Sequence, residues 1–399
     1  MLDHQSATTT EVLVAGAGLA GLAAAIAFAD AGFDTIVCGA PERWANGRTV
    51  ALLDGSMRFL ERLGLREAIE RRGAPLRALR LIDDTGSLWR APTVEFHAGE
   101  IGLEAFGWNI ENSDLVETLA IEARRRGRLT PIASRIATYQ WDEGSALARC
   151  EDGRLIAARL IVAADGRESP ARLSADISVR TQRLPQTALT AIVSHTRPHR
   201  DFSTEFHTRQ GPFTLVPLPP AGGDAHRSSL VWVMSHQEAR RRMALGDDAL
   251  AAEIEEQAQS IHGAMRVAGA RGAFPLATQV ATRLTAPRLA LIGDAAHVVP
   301  PIGAQGLNLG LRDAARLIEI ATAAKAAGDD FGGVTTLSRY EDRRRADVMT
   351  RAAAVNALNL SLLADFAPID MLRSAGLAAL STVGPLRRFV MREGIAPSF

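Results

Sequence analysis

One stretch limits this chain's fold more than any other: "EVLVAGAGLAGLAAAIAFADAGFDTIVCGA", residues 11–40. Val12–Ala15 is a short apolar run with strand character. Gly16-x-Gly18-x-x-Gly21 then opens an alanine-rich helix reaching about Asp30, Gly32 ends it, and Thr35–Cys38 supplies a second strand. A glycine triplet alone is common. Set between a strand and a helix inside a ~30-residue βαβ unit, it is a dinucleotide-binding fingerprint. Each glycine answers a physical demand. Gly16 makes the tight turn, Gly18 with Ala17 lets a pyrophosphate approach the backbone, and Gly21 allows close helix–strand packing. The free N–H groups and the positive end of the helix dipole then face the phosphates. Alanine and glycine dominate residues 12–29, so this longest apolar run reads as strand plus helix rather than as a membrane span.

The fingerprint also calls for an acidic residue about 20 positions on, at the end of the second strand, to hold the ribose hydroxyls. Gly39 stands there. Another group must therefore satisfy the ribose, or water does.

At 399 residues the chain exceeds the size of one hydrophobic core, so at least two domains are expected. Its 45 basic and 45 acidic residues balance, which argues against a nucleic-acid partner. The arginine triplets at 124–126 and 343–345 have acids nearby and read as solvated helix faces. Two cysteines, Cys38 and Cys150, show no metal-type spacing, and no metal is expected. The polar opening "MLDHQSATTTE" lacks the apolar core of a signal peptide, so a cytoplasmic protein is expected.

Along the chain, Arg48 lies in an extended segment just before a helix starting near Gly55 or Ser56, where it can reach back to a phosphate. Residues 76–104 read as a β excursion. "NSDLVETLAIEARRRG" is a helix with Asn112 or Ser113 as N-cap and Glu117 available for a capping box. Leu160–Ala164 is a buried strand, followed by a sharp Asp165-Gly166 turn and a helix start at Ser169-Pro170. Residues 181–280 form a block of strands and then helices without a phosphate signature, the natural substrate domain. The nucleotide domain is thus expected over 1–75, 105–180 and 281–336, with a helical segment over 337–399. The fold class is mixed α/β: a Rossmann-like nucleotide domain with an inserted β-sheet domain and a helical C-terminal segment.

"LALIGDAAHVVPPIGAQGLNLGLRDAARL", residues 289–317, carries a third glycine-marked strand end. With the turns at 16–21 and 165–166, it can lie at the carboxyl edge of one parallel sheet, where open α/β folds bind ligands. Gly293-Asp294 would end the strand with a carboxylate able to accept from a ribose hydroxyl. Pro300-Pro301 fixes an extended backbone. Gly303, Gly306 and Asn308 let main-chain N–H groups approach a planar ring, and a helix from about Leu307 points its positive end at that ring.

On these segments the chain resembles the flavin-dependent aromatic hydroxylases of the p-hydroxybenzoate hydroxylase fold. Within them it is similar to the ubiquinone-biosynthesis hydroxylases (UbiH/UbiF/VisC type). The matching pieces are "GAGLAGLAAAIAFADAGF", "GRTVALL", "FGWNIENSDL", "LIVAADGRESPAR", "STEFHT" with "GPFTLVPLP", "LIGDAAHVVPPIGAQGLNLGLRDA" and the tail "DMLRSAGLAAL" with "PLRRFVMR". The resemblance implies FAD as bound cofactor and NADH or NADPH as transient reductant. It assigns Gly16, Ala17, Gly18 and Gly21 to the pyrophosphate, and Arg48 to the adenosine side or the phosphates. Asp165 and Gly166 would serve FAD and the nicotinamide cofactor. Gly293 and Asp294 would serve the FAD ribose-phosphate, with Pro301, Gly303, Gly306, Leu307 and Asn308 around the isoalloxazine.

The implied reaction is hydroxylation of a prenylated phenol with O2 through a flavin C4a-hydroperoxide. Such chemistry resides in the cofactor and needs no nucleophilic triad, and no acid or base is assigned. His297 reads as structural or as a helix-cap contact. His207 and Phe213 lie on strands that could face the ring, with packing as the equal alternative. The tail from Ala352 to Arg388 alternates apolar stretches with arginines. It could dock on the inner face of a membrane or on a quinone-biosynthesis complex, or simply pack as a helical cap; a homo-oligomer is open too. Two other readings stand beside the hydroxylase: an FAD oxidoreductase without oxygen transfer, and a non-enzymatic lipid-binding or assembly subunit.

Overall fold

The computed structural model describes residues 7–39, 47–87, 91–363, 375–380 and 382–395. The rest, including 364–374 of the tail, lie outside the described residues. Two large sheets and a small one organise the chain. The first sheet takes the fingerprint strand Thr8–Ala15 as a central member, parallel on one side to Thr35–Cys38 and on the other to Leu155–Ala163. Leu129–Ile132 extends it beyond Thr35–Cys38, and Leu289–Leu291 lies parallel beyond Leu155–Ala163. An antiparallel pair, Ile136–Trp141 and Ala146–Cys150, packs onto the same sheet.

The helix Leu19–Asp30 is buried from Leu19 to Ala29 with Ala20 the single exception, which explains why its residues are small and apolar on every side. It packs against the helices Asn112–Arg125 and Gln305–Ala326. The long helix Val334–Leu363 joins this core through Leu337 and Tyr340, whose hydroxyl donates to the Leu291 carbonyl at 2.8 Å. No helix among the described residues is long and apolar enough to cross a membrane.

The second sheet is formed mainly by antiparallel strands, Val179–His195, Phe202–Thr208, Gly211–Leu218, Arg227–Ser235 and Gly272–Ala281, with Ala78–Asp83 added parallel to Phe202–Thr208. One of its faces is a hydrophobic core. Leu189, Ala191, Val193, Phe206, Phe213, Leu215, Leu230, Trp232 and Met234 meet the helices His236–Met243 and Asp247–Gln257 there. Phe213 is therefore a packing residue. The other face fronts the nucleotide domain through the small sheet of Thr49–Leu53, Ala74–Pro75 and Gly107–Glu111. Thr49 and Ser229 hydroxyls lie 2.8 Å apart, and Asn109 Nδ2 donates to the Pro217 carbonyl at 2.8 Å.

Some local expectations are corrected. Glu117 forms no capping box: the helix begins at Asn112 without a side-chain cap, and Glu117 pairs with Arg72 at 2.6 Å. The triplet 343–345 is not a uniformly solvated face. Arg344 is enclosed between Asp313 and Asp347, because its helix turn faces the neighbouring helix.

Candidate active site

The three glycine-marked strand ends meet. Thr8–Ala15, Leu155–Ala163 and Leu289–Leu291 are adjacent parallel strands, so Gly16, Asp165-Gly166 and Gly293-Asp294 leave the same edge of the sheet. Gly16 has φ +110°, and a Cβ there would stand 2.3 Å from the Ala164 carbonyl oxygen. A Cβ on Gly21 would stand 2.0 Å from the Gly16 oxygen, so helix and turn touch only because both residues are glycine. Gly18 differs: nothing lies within 4 Å of its Cβ position. The helix it caps has no side-chain cap and no acid in its first turn, so its N–H groups and dipole are left for an anion.

At the second strand end, Asp165 Oδ2 accepts from the Ala171 N–H at 3.0 Å, while its buried Oδ1 has no partner among the described residues. Burial raises the Asp165 carboxyl above the usual range, opposed by hydrogen bonds from Ser169 and the backbone and by the Arg172 charge. Gly166, at φ +86°, has open space at its Cβ position. Ser169 caps the short helix Pro170–Ser174 by accepting from the Arg172 N–H at 3.0 Å.

At the third strand end, Gly293 (φ +59°) packs against Gly310, where a Cβ would meet the Gly293 Cα at 3.0 Å. Asp294 keeps solvent exposure at the sheet edge although protein surrounds it on most sides. Loss of hydration pushes its carboxyl above the usual range, against the pull of His297, Arg167 and Arg48. Pro301 follows. Gly303 and Ala304 then take consecutive left-handed conformations (φ +64° and +55°) before the helix Gln305–Ala326. That helix too begins without a side-chain cap or a first-turn acid, and Gly306 is open on its Cβ side.

The Asn308 side chain has a structural part. Its Oδ1 accepts from the Leu53 N–H at 2.9 Å and the Ser56 hydroxyl at 2.6 Å, and its Nδ2 donates to the Ala51 carbonyl at 2.8 Å. The side chain thus ties the helix start, with Leu307, to the strand Thr49–Leu53. Arg48 stacks over the Phe274 ring at 4.7 Å, at the junction with the second sheet, and its charge reaches Asp294. Gly39 has φ +139°, and a Cβ there would lie 2.8 Å from the Ala17 nitrogen. The turn after the first strand leaves no room for an acidic side chain at residue 39.

His297 donates to Asp313 Oδ2 at 2.6 Å inside the core, in keeping with a structural part. Asp313 Oδ2 also accepts from the Gly293 N–H at 3.0 Å, and Oδ1 accepts from Arg344 Nε at 2.8 Å. Arg172 donates to the Ala295 and Arg167 carbonyls, each at 2.8 Å, clamping the second turn to the third. Asp313, Gly310 and Arg172 position the site, and inspection of the sequence singled out none of them. Each partner lies on another element. The one local signal was an acid five residues beyond Asn308 on a helix already implicated.

The arrangement fits FAD on three counts: two uncapped helix N-termini, glycines with open Cβ sides at 18, 166 and 306, and the unpartnered buried Asp165 oxygen at the same sheet edge. Among the described residues, no cluster of three His, Cys, Asp or Glu side chains could hold a metal ion.

The family described as FAD binding domain matches residues 9–354. The ubiquinone hydroxylase UbiL of Rhodospirillum rubrum is 33% identical over 393 residues, covering 96% of this chain and 89% of that protein. The 3-demethoxyubiquinol 3-hydroxylase of Escherichia coli is 30% identical over 396 residues, covering 97% and 98% respectively. Among solved structures, the p-nitrophenol 4-monooxygenase PnpA of Pseudomonas putida DLL-E4 superposes with a TM-score of 0.79 over 96% of this chain and 97% of that one. At 18% identity that is a likeness of fold.

Proposed function

The chain belongs to the FAD-dependent hydroxylases of ubiquinone biosynthesis, and on that premise we propose that it hydroxylates the ring of a polyprenylated phenol. It is an FAD monooxygenase of mixed α/β fold acting on a small aromatic substrate with O2. When bound, FAD reduced by NADH or NADPH supplies the activated oxygen. The chain's own residues bind, orient and exclude water. The backbone of Gly16, Ala17, Gly18 and Gly21 holds the pyrophosphate at the helix N-terminus. Asp294 accepts from a ribose hydroxyl, and Arg48 offsets phosphate charge from its stack on Phe274. Asp165-Gly166 would serve FAD and the transient nicotinamide cofactor. The turn Pro301–Gly303 and the backbone of Gly306, Leu307 and Asn308 would hold the flavin ring, at the positive end of the helix Gln305–Ala326.

One observation carries the reading. Three glycine-turned strand ends converge on one sheet edge, in a chain related over nearly its whole length to ubiquinone hydroxylases. Exposed Leu386 and Phe389 beside Arg388, on the helix Gly384–Val390, support a peripheral contact with an anionic membrane surface, from which a prenylated substrate would come.

The test is the absorbance of the purified, desalted protein, followed by NAD(P)H oxidation with and without a prenylphenol. An equimolar FAD spectrum and phenol-stimulated oxidation are expected. A protein that stays colourless after incubation with FAD contradicts the proposal.

A further inference from the structure

The face of the second sheet that fronts the nucleotide domain can be mapped from the strand registers. Thr190 pairs with Val231, Val231 with Thr214, Thr214 with Glu205, and Glu205 with Leu81. Paired residues share a face, so these five side chains form one row. The neighbouring row on one side includes Ser229 and Val216, and Ser229 touches Thr49 of the nucleotide domain. The row on the other side includes Ala188, Val233, Pro212, His207 and Asp83. This floor mixes apolar and polar side chains, and Glu205, His207 and Thr214 form a polar cluster within it.

His207 Nε2 lies 2.9 Å from Glu205 Oε1, and Glu205 Oε2 accepts from the Thr214 hydroxyl at 3.3 Å. A carboxylate at that distance fixes the tautomer: the proton sits on Nε2 and is donated to Glu205, leaving a lone pair on Nδ1. Nδ1 is buried and has no hydrogen-bond partner among the described residues. An unmet buried acceptor costs about 1–3 kcal/mol. An imidazole oriented by a carboxylate, with its other nitrogen left as an open acceptor, is arranged to receive a proton.

We propose that His207, oriented by Glu205, binds the substrate's phenolic O–H at Nδ1 and takes its proton during ring hydroxylation. This rests on the reading above. The O–H bond breaks, its electron pair stays on oxygen and enriches the ring, and an N–H bond forms at Nδ1. Glu205 balances the imidazolium charge. Once the new C–O bond is made, the carbon that bears it loses its hydrogen as a proton to the O2-derived oxygen that ends as water, the ring regains aromaticity, and the proton on Nδ1 returns to the ring oxygen. The other charged groups near the dyad are Asp83 on the paired strand, which accepts from Thr85 and the Ala91 N–H, Asp84, whose N–H donates to the His207 carbonyl, and Arg209. Nδ1 is closed to water in this conformation, so the side chains over it must part to admit the ring.

Two measurements on the FAD-loaded protein test this. The first is turnover by His207→Gln, which keeps an N–H for Glu205 and removes the base. FAD content should hold, KM should rise by less than about tenfold for the lost hydrogen bond, kcat at neutral pH should fall about 100-fold, and the kcat loss should shrink about tenfold per pH unit as the phenol ionises unaided. An unchanged pH profile, or an equal loss on a nitrophenol already ionised at neutral pH, overturns the proposal. The second follows ionisation of a short-chain prenylated nitrophenol bound to wild type and to Glu205→Gln, without turnover. The wild type should ionise the bound probe at lower pH than free in solution, and Glu205→Gln less so. A probe that fails to bind, or whose ionisation does not move, sinks the assignment even if wild type hydroxylates. A wild type that ionises the probe but never oxygenates any prenylphenol sinks the proposed function and leaves the dyad standing.

Discussion

Replacing Asp313 with Ala removes the carboxylate that anchors the third turn. Asp313 is wholly enclosed and takes three donors: His297 Nε2 at 2.6 Å, the Gly293 N–H at 3.0 Å and Arg344 Nε at 2.8 Å. Burial alone would raise its carboxyl. The charges of His297 and Arg344, with the hydrogen bonds from His297 and Gly293, overcome that and hold it below the usual range. Removing one partner of a buried pair costs about 3–5 kcal/mol, mostly from the charge left behind. Arg344 keeps Asp347 as a partner, which places Asp313→Ala near the lower end, about 3 kcal/mol. That is on the order of a hundredfold in the folding equilibrium.

Urea denaturation of the apoprotein reads the stability, and equilibrium dialysis reads FAD affinity, which should fall because the Gly293–Asp294 turn loses its anchor. Pairing Asp313→Ala with His297→Phe should cost less than the sum of the single changes, since the second removes a donor stranded by the first. The sign with pH follows from the depressed carboxyl. Its contribution is complete above the unfolded-state carboxylate range and is lost as pH falls through the folded value. A loss below about 1 kcal/mol, or strict additivity, would refute a tightly coupled buried network.

Three more outcomes are expected. Gly39→Asp should weaken FAD binding rather than restore a ribose contact, because φ +139° and the 2.8 Å approach to Ala17 make the side chain strained; tighter binding on titration would contradict this. Asp294→Ala should lower FAD retention after desalting while leaving the far-ultraviolet dichroism unchanged, and full retention would remove Asp294 from the cofactor site. His195 and His262 stack at 4.6 Å, and burial lowers them to about 4 and about 3 from the ordinary 6.5. The unfolded chain then binds more protons than the folded one as pH drops from 6.5 toward those values, so stability should decline across that window. Urea midpoints from neutral to acidic pH should show the slope, and His262→Gln should flatten it.

The sequence made the fingerprint turn legible because its demands are local: a strand, three glycines and a helix within about 30 residues. Ser169-Pro170 was readable as a helix start for the same reason. Gly39 registered only as a missing acid, since the clash with Ala17 arises from two strand ends meeting in space. Glu117 was expected in a capping box, yet it stands four residues from Ser113 and five from Asn112 rather than three, and Arg72 on another helix captures it. Arg344 looks like one arginine among three until the helix Val334–Leu363 is laid against Asp313. The partners of the Asn308 side-chain amide, Leu53, Ser56 and Ala51, were not legible because they lie more than 250 positions away in the chain. Phe213 and His207 could not be told apart from sequence, because strand register decides which face each takes.

The most direct test of the central claim is hydroxylation of a prenylphenol by the FAD-loaded protein and NAD(P)H under isotopically labelled O2, with mass spectrometry of the product. Our account predicts one labelled oxygen on the ring, with NAD(P)H consumed in proportion. A product formed without label, or equally well without O2, would contradict it.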